Sequence, residues 1–344
     1  MSTDDTSLPE PRSPEPEAPV RPVALVLTAA FEAPLDERRP WLERSDIVDA
    51  LAIPGTDSPV YLTDSNVAIT TTGIGKSDAA TTVTALLANP TIDLESAYVV
   101  SSGIAGSSPE TTALGSVAVA DTVVDWDRKH RWDHGENATA SNEHGAEPTA
   151  GEDHAGDATA ATADADRSDE RPIDRLNYRP RDYVHRLADG VVDCGLEAAR
   201  GVDLLADAAA REYQREYPAA PDAGPTIERG TTVCGDEFWH GSRYAREVDW
   251  LCERYSVGPY VTTQMEDAAT ARALERFDLR DRYLSVRAVS NYDRPAPGQS
   301  VRESFDGDPA SLALAIDNAA RVGSAVVEGL VREDPLEIGP TDSG

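Results

Sequence analysis

The sequence has few cysteines, and their placement excludes two common uses of the residue. The chain of 344 residues has three cysteines: Cys194, Cys234 and Cys252. An odd number without metal-ligand spacing argues against a disulfide framework and against a zinc site. We therefore expect a reduced, cytoplasmic protein whose thiols are buried or half-buried.

Lysine is almost missing, and acidic residues dominate. Only Lys76 and Lys129 stand among 31 basic residues, against 62 acidic ones. The net charge of −31 and the pI of about 4.4 exclude nucleic acid and anionic membranes as partners. The acidic excess persists over 35–60 and 187–255, so it is not confined to a tail or a loop. This pattern predicts a halophilic protein whose self-repulsion is screened by salt.

No apolar run is long enough for a membrane helix, which needs roughly 18–20 residues. The best candidates, Val23–Phe31 and Tyr98–Ile104, have the length of strands, so we expect no membrane insertion. Residues 1–20 are rich in Pro, Ser, Asp and Glu and predict a disordered tail rather than a signal peptide. Residues 134–172 contain almost no large apolar residue and predict a solvated, disordered acidic insertion.

The remaining chain predicts one α/β domain over 21–335, followed by a short tail over 336–344. Strand-like runs lie at 23–28, 67–72, 97–102, 116–124, 231–234 and 283–289. Helical stretches lie at 76–88, 198–213, 242–255, 265–276 and 309–332. Strands that alternate with helices indicate a sheet covered on both faces.

Two polar runs near the C-terminal end indicate a ligand site. The run 262–270 places Glu266 at the start of an alanine-rich helix, and the run 285–298 places Asn291 and Asp293 directly after an apolar strand. In α/β proteins, polar residues just beyond strand ends lie where ligands bind. A carboxylate accepts hydrogen bonds from sugar hydroxyls, whereas an amide donates to and accepts from a purine edge. The combination suggests a nucleoside.

Three further turns are candidate parts of that site. The turn 72–76 contains Gly75, and the turn 101–106 contains Ser102 and Gly103; both would let a ligand approach the backbone. Each is equally explained as a tight turn that needs glycine for steric reasons. The segment 229–239 places Asp236 before two aromatics, Phe238 and Trp239. Such aromatics stack on a heterocycle, or else one lies in the core and the other on the surface.

The order of these motifs resembles the purine nucleoside permease family within the nucleoside phosphorylase and nucleosidase superfamily. The matching segments are PWLE at 40–43, TTGIGKSDAA, SSGIAG, EDAAT at 266–270 and SNYDRPAPG. The resemblance covers roughly 23–132 and 225–330. It implies a three-layer αβα sandwich with a central mixed, partly barrel-like sheet. It also implies a purine nucleoside as ligand and a homo-oligomer, at least a dimer.

The resemblance assigns roles to several of these residues. Glu266 resembles the ribose-binding glutamate, with Met265 packing on the sugar, and Phe238 resembles the aromatic that stacks on the base. Asn291 stands where nucleosidases carry an aspartate that protonates the purine. Because an asparagine cannot act as that acid, the resemblance leaves Asp293 as an alternative proton source.

The family's phosphate ligands are absent, which favours water as the nucleophile. Ile104 takes the place of the phosphate-binding serine, and no arginine stands near it in the sequence. Lys76 or Arg287 is the candidate to restore an anion site, so phosphate stays open as a co-substrate; no other cofactor and no metal are expected. Glu32 and Glu37 are both candidates for the base that directs water. The predicted function is cleavage of the N-glycosidic bond of purine nucleosides, with hydrolysis favoured over phosphorolysis. The alternative is a non-catalytic soluble component of nucleoside uptake.

Four histidines crowd one region, and three of them fall in the predicted acidic insertion without close ligand spacing, so we interpret the group as belonging to a solvated loop rather than a metal site. They are His130, His134, His144 and His154.

Overall fold

The structure is a computed structural model that describes residues 8–132, 172–176, 178, 183–305 and 307–339. The chain divides into two compact units, Met1–Asp127 with Asp182–Gly344, and Arg128–Arg181. In the second unit, β7 (Lys129–Arg131) pairs antiparallel with β8 (Ile173–Arg175). The predicted acidic insertion, with three of the four histidines, lies outside the described residues except at its last position.

The first unit contains the other strands and all the helices of the described chain. The strands are β1 (Ala24–Thr28), β2 (Ile47–Leu51), β3 (Val60–Thr63), β4 (Val67–Thr71), β5 (Tyr98–Ser107), β6 (Val117–Asp125), β9 (Val184–Arg186), β10 (Ile227–Cys234), β11 (Tyr260–Gln264) and β12 (Tyr283–Tyr292). The α-helices are α1 (Arg39–Glu43), α2 (Lys76–Ala88), α3 (Asp189–Arg200), α4 (Ala208–Gln214), α5 (Ser242–Arg254), α6 (Asp267–Arg276), α7 (Val301–Phe305) and α8 (Pro309–Glu333).

The ten strands form one mixed sheet that partly closes on itself. Its order is β11-β10-β6-β12-β5-β1-β4-β3-β2, with β9 added beside β6. Strand β5 is parallel to β1 and to β12, and it also pairs with β11 at Thr263 and Gly106. That extra pairing joins β5, β12, β6, β10 and β11 into a closed ring of strands. The sheet therefore has the predicted mixed, partly barrel-like form.

Burial explains why the central strands and the last helix form where they do. Strands β1, β5 and β12 are apolar or small-residue runs that are buried along almost their whole length. Helix α8 starts at Pro309, where the Asp308 side chain accepts the N–H groups of Ala310 and Ser311 and so caps the helix. Its apolar stripe packs against β5 and β12.

The segment Val301–Glu333 is, within the described chain, the one stretch long and apolar enough to span a bilayer by length and composition. However, 61% of its most apolar window is buried inside the protein. Packing against the sheet therefore accounts for its apolar face, as in many core helices.

Two sequence predictions differ from the structure. The helix predicted over 198–213 is wrong, because α3 ends at Arg200 with Gly201 as its C-cap, and α4 begins only after Asp207. Asp207 stops the continuous helix because its side chain accepts the N–H groups of the first turn of α4. The predicted tail already pairs with the sheet at Arg12, whose backbone bonds Ala50 and Ala52, while residues 1–7 lie outside the described residues.

Candidate functional site

A cavity of about 450 Å³ opens where several strands end. Its wall comes from the residues after β1, the end of β5, the loop after β10, the end of β11 and the end of β12. Because β1, β5 and β12 are parallel, their carboxyl ends meet on one side of the sheet, where ligands of α/β proteins bind. Five carboxylates line the cavity: Glu37, Glu237, Glu266, Asp293 and Asp308. Within the described part of the chain, no Lys, Arg or His does so.

Glu37 is held against the backbone at the ends of two strands. Its Oε2 accepts hydrogen bonds from the N–H groups of Ala29 (2.7 Å) and Ala30 (3.1 Å), and its Oε1 accepts from Ile104 N–H (2.7 Å). Burial raises the pKa of Glu37, and the charge of Arg287 and the three N–H donors oppose that rise. Glu32, the other candidate base, is exposed and does not line the cavity. The structure therefore brings Glu37, and not Glu32, to the site.

Glu266 lies at the start of α6, where the strand β11 turns into the helix. The Gln264 side chain accepts Glu266 N–H at 2.7 Å and fixes this turn. One carboxylate oxygen of Glu266 accepts Gly75 N–H at 3.1 Å, and the other lies 3.3 Å from Arg287 Nη1. Burial raises the pKa of Glu266 to about 7; the Arg287 charge opposes this rise and the Glu37 charge adds to it. Glu266 and Met265 both line the cavity, as predicted.

Arg287 lies beneath the cavity wall rather than in it. Its side chain is 2% exposed, and it contacts Glu266 on one side and Asp267 on the other. The prediction that Arg287 contacts the substrate is therefore not supported by its position; it contacts the carboxylates instead. One guanidinium serves Glu266 and Asp267 directly and lowers the pKa of Glu37 through its charge. Burial is the main cause of the raised pKa of both glutamates, and for Glu266 the charges of Glu37 and Asp267 add to it.

In the glycine-rich turn before α2, the N–H groups of Gly75 and Lys76 donate to protein carboxylates. Gly75, with φ of +95°, donates its N–H to Glu266. Lys76 N–H donates to Asp236 at 2.7 Å, and its Nζ donates to Asp125 (2.6 Å) and Asp127 (2.9 Å). Neither Gly75 nor Asp236 lines the cavity, so their predicted role in substrate binding is indirect. The Lys76 cation is committed to two carboxylates.

Residues 101–106, predicted as a turn, lie within strand β5, and only the last three of them reach the cavity. Ser102 is buried and donates its hydroxyl to Ala319 O at 3.1 Å, so it points away from the site. Gly103 lies beside Glu37 and Arg287: a Cβ at this position would stand 2.5 Å from Glu37 Oε1 and 3.0 Å from Arg287 Nη1. The residues of this part of β5 that line the cavity are Ile104, Ala105 and Gly106.

The end of β12 provides an amide with a fixed orientation. Ser290 Oγ lies 2.9 Å from Asn291 Oδ1, and Asn291 Nδ2 donates to Tyr292 O at 3.2 Å. The contact with the Tyr292 carbonyl assigns the amide nitrogen to that side, and Asn291 lines the cavity. One N–H and one lone pair of the amide remain for a ligand.

Asp293 lines the same cavity but is committed to two donors. Its Oδ1 accepts Arg294 Nε at 2.6 Å, and its Oδ2 accepts the Tyr260 hydroxyl. Burial raises the pKa of Asp293, whereas Arg294 and Tyr260 lower it. With a donor on each oxygen, the carboxyl is arranged as an acceptor rather than as an acid that faces a ligand.

The rim of the cavity is apolar and partly aromatic. Phe238 and Phe305 meet edge to face with ring centroids 5.1 Å apart, and both are more than half exposed. Trp239 also lines the cavity but is 7% exposed and packs near Trp126 and Tyr260. Sequence reasoning missed Phe305, which lies on a five-residue helix, and missed the apolar rim residues Pro34, Leu35, Ile74 and Leu312.

Comparison with known proteins agrees with this architecture. The model of the family described as purine nucleoside permease (NUP) matches residues 22–334. A purine nucleoside permease from Candida albicans is 24% identical over 310 residues, which is 86% of this chain and 72% of that protein. A probable purine nucleoside permease from Schizosaccharomyces pombe is 27% identical over 274 residues, 76% of this chain and 74% of that protein.

Solved structures share the fold at low sequence identity. The 5′-methylthioadenosine/S-adenosylhomocysteine nucleosidase from Neisseria meningitidis, in complex with methylthio-immucillin-A, gives a TM-score of 0.55 at 18% identity and covers 90% of this chain and 99% of its own. The futalosine hydrolase of Helicobacter pylori gives a TM-score of 0.53 at 16% identity and covers 89% of this chain and 98% of its own. The predicted nucleoside phosphorylase-like fold is confirmed.

Proposed function

The chain belongs to the purine nucleoside permease family, and from this premise we propose that it binds a purine nucleoside in the cavity and hydrolyses the N-glycosidic bond. The observation that carries the proposal is the pair of buried glutamates, Glu37 and Glu266, in one cavity with a fixed amide and an aromatic rim. The relatives are named as purine nucleoside permeases, and the first of the two solved structures as a nucleosidase in complex with a methylthio-immucillin.

Glu266 is the group for the ribose. A carboxylate has about four acceptor positions, and Gly75 N–H and Arg287 use two of them. Two positions remain, which is the number that the neighbouring 2′- and 3′-hydroxyls of a ribose require. When the glycosidic bond breaks, the sugar gains positive charge, and a carboxylate in a buried site stabilises that charge more than it stabilises the neutral ground state.

Glu37 is the group for the water. Three backbone N–H groups fill three of its roughly four acceptor positions, so one position remains for a water molecule. A carboxyl with a raised pKa is a stronger base than an exposed one. In the proposed reaction the C1′–N9 bond breaks, the water oxygen bonds to C1′, and a water proton passes to Glu37.

Asn291 is the group for the purine. Its remaining N–H donates to N7, which gains negative charge as the base leaves with the bonding electron pair. The amide stabilises that charge without giving up a proton, so the base takes its proton from water in the open cavity, and the hydroxide left there takes up the proton held by Glu37, which restores the carboxylate. The aromatic pair of Phe238 and Phe305 at the rim offers ring faces and edges to the base.

The test is to incubate the pure protein at high ionic strength with inosine or adenosine, with and without phosphate. Chromatography separates free base from nucleoside, and the sugar product is identified as ribose or ribose phosphate. Free base and ribose without phosphate support hydrolysis. Loss of turnover in Glu37→Gln, with nucleoside binding retained, ties the reaction to the site.

A second function, nucleoside binding without turnover as part of uptake, is favoured by one observation. The position of the expected catalytic acid holds Asn291, and Asp293 has a donor on each oxygen. Calorimetry that shows tight nucleoside binding, together with no base release at any pH, would select this function over hydrolysis.

A further inference from the structure

The fully buried carboxylate of Asp267 has no role in the mechanism described so far. Asp267 is the first residue of α6, directly after Glu266, and its exposure is 0%. It accepts hydrogen bonds from Tyr283 OH (2.9 Å), Ser285 Oγ (2.5 Å) and Ser101 Oγ (2.9 Å). It also accepts from two nitrogens of Arg287, Nε at 3.2 Å and Nη2.

The Asp267 carboxylate occupies the edge of the Arg287 guanidinium with which arginine side chains usually bind anions. The Nε and Nη2 donors form the fork that binds carboxylate or phosphate in a bidentate manner. Both donors already contact Asp267, and Nη2 also donates to Ser101 Oγ at 2.8 Å. Only Nη1 is directed to the pair of glutamates, at 3.3 Å from Glu266 Oε2. Gly103 keeps the space between Nη1 and Glu37 free of a side chain.

We propose that Asp267 is a specificity-determining positioning residue, a built-in anion that occupies the forked edge of Arg287 and thereby makes the site use water rather than phosphate. This inference rests on the proposed function and explains its choice of nucleophile. With Asp267 in place, an entering oxyanion meets five cavity carboxylates and, among the residues that the structure describes, no arginine in the cavity wall. A neutral water molecule meets no such repulsion.

The test is phosphate binding and product identity in Asp267→Asn, which removes the charge at nearly constant volume. Isothermal calorimetry with inorganic phosphate, at constant ionic strength set with chloride, measures binding without any need for turnover. The unaltered protein should show no saturable phosphate binding, and its sugar product should be free ribose at every phosphate concentration. The variant should show saturable phosphate binding, at least about tenfold tighter than the upper limit on affinity set by the unaltered protein, because the charge of Arg287 near the cavity is no longer neutralised by Asp267.

The matched control is Asp49→Asn. Asp49 also accepts Arg12 in a forked pair, through Nε (3.0 and 3.1 Å) and Nη2 (2.5 Å), but on the exposed surface. A gain of phosphate binding in Asp267→Asn that exceeds the gain in Asp49→Asn supports the proposal. An equal gain in both, or none in a folded Asp267→Asn protein, overturns it.

Two further readouts keep the test independent of the variant's folding and of the proposed function. Saturable phosphate binding or ribose phosphate formation by the unaltered protein overturns the role of Asp267 directly. If the unaltered protein neither binds nor cleaves nucleosides, the proposed function fails, whereas the calorimetric comparison of phosphate binding still decides the role of Asp267. A purely structural role would lower stability in Asp267→Asn without any response to phosphate.

Discussion

Replacing Glu266 by Gln separates the contribution of its charge to ligand binding from its cost in stability. The side chain is 4% exposed, and its pKa is raised from the ordinary 4.5 to about 7, first by burial and then by the Glu37 charge, with Arg287 opposing. The folded state therefore holds this proton more tightly than the unfolded state. The stabilisation that comes from this proton is fully present at pH values below the unfolded-state pKa of 4.5. It is lost as the pH rises through the folded-state pKa of about 7.

The size of the effect follows from that difference. Because folding raises the pKa of this carboxyl from 4.5 to about 7, the free energy of unfolding falls by roughly 3 kcal/mol between acidic and mildly alkaline pH. Gln keeps an oxygen for Gly75 N–H but cannot ionise. Glu266→Gln should therefore lose this part of the pH dependence and be more stable than the unaltered protein at about pH 8.

The same variant should bind nucleoside more weakly. A hydrogen bond from a ribose hydroxyl to a carboxylate contributes about 1.5–3 kcal/mol, so its loss should weaken binding roughly 10- to 150-fold. Urea unfolding at several pH values and calorimetry with inosine measure the two effects in one buffer. Glu43→Gln, which removes an exposed carboxylate of α1, controls for the high net charge. The reasoning is refuted if Glu266→Gln binds inosine as tightly as before, or if its stability still falls with pH as steeply as in the control.

Three other substitutions test the remaining parts of the site. Glu37→Gln should lower kcat by about 10²-fold or more and change the nucleoside Kd little, because the base is lost and the sugar contacts stay; steady-state kinetics and calorimetry decide, and an unchanged kcat would remove Glu37 from the mechanism. Phe238→Ala should weaken nucleoside binding by about 0.5–1.5 kcal/mol, whereas Phe277→Ala, a partly exposed phenylalanine that does not line the cavity, should leave the Kd unchanged. Lys76→Met should cost about 3 kcal/mol in urea unfolding, because Asp125 and Asp127 lose a shared cation; a loss as small as that of Glu43→Gln would contradict this role.

The sequence could predict those parts of the site in which a functional side chain lies at or just after the end of a single strand. Glu266 lies two residues after β11 and Asn291 is the last residue but one of β12, so the position of each in the cavity follows from the strand that carries or precedes it. Phe238 follows β10 in the same way. Ser102, Gly75 and Asp236 do not line the cavity, because the composition of a strand end or a turn does not show which of its residues face a site.

By itself, the sequence determined the alternation of strands and helices, the polar strand ends and the order of motifs that indicates the nucleoside family, since these depend on neighbours along the chain. Only the tertiary structure decided between Glu32 and Glu37, because the three N–H donors of Glu37 come from the ends of two strands, one of them far away in sequence. It also pairs Lys76 and Arg287 with carboxylates that lie 20 to 51 positions away in the sequence. The partners of a buried charge decide what that charge can bind, and those partners are brought together only by the folded sheet.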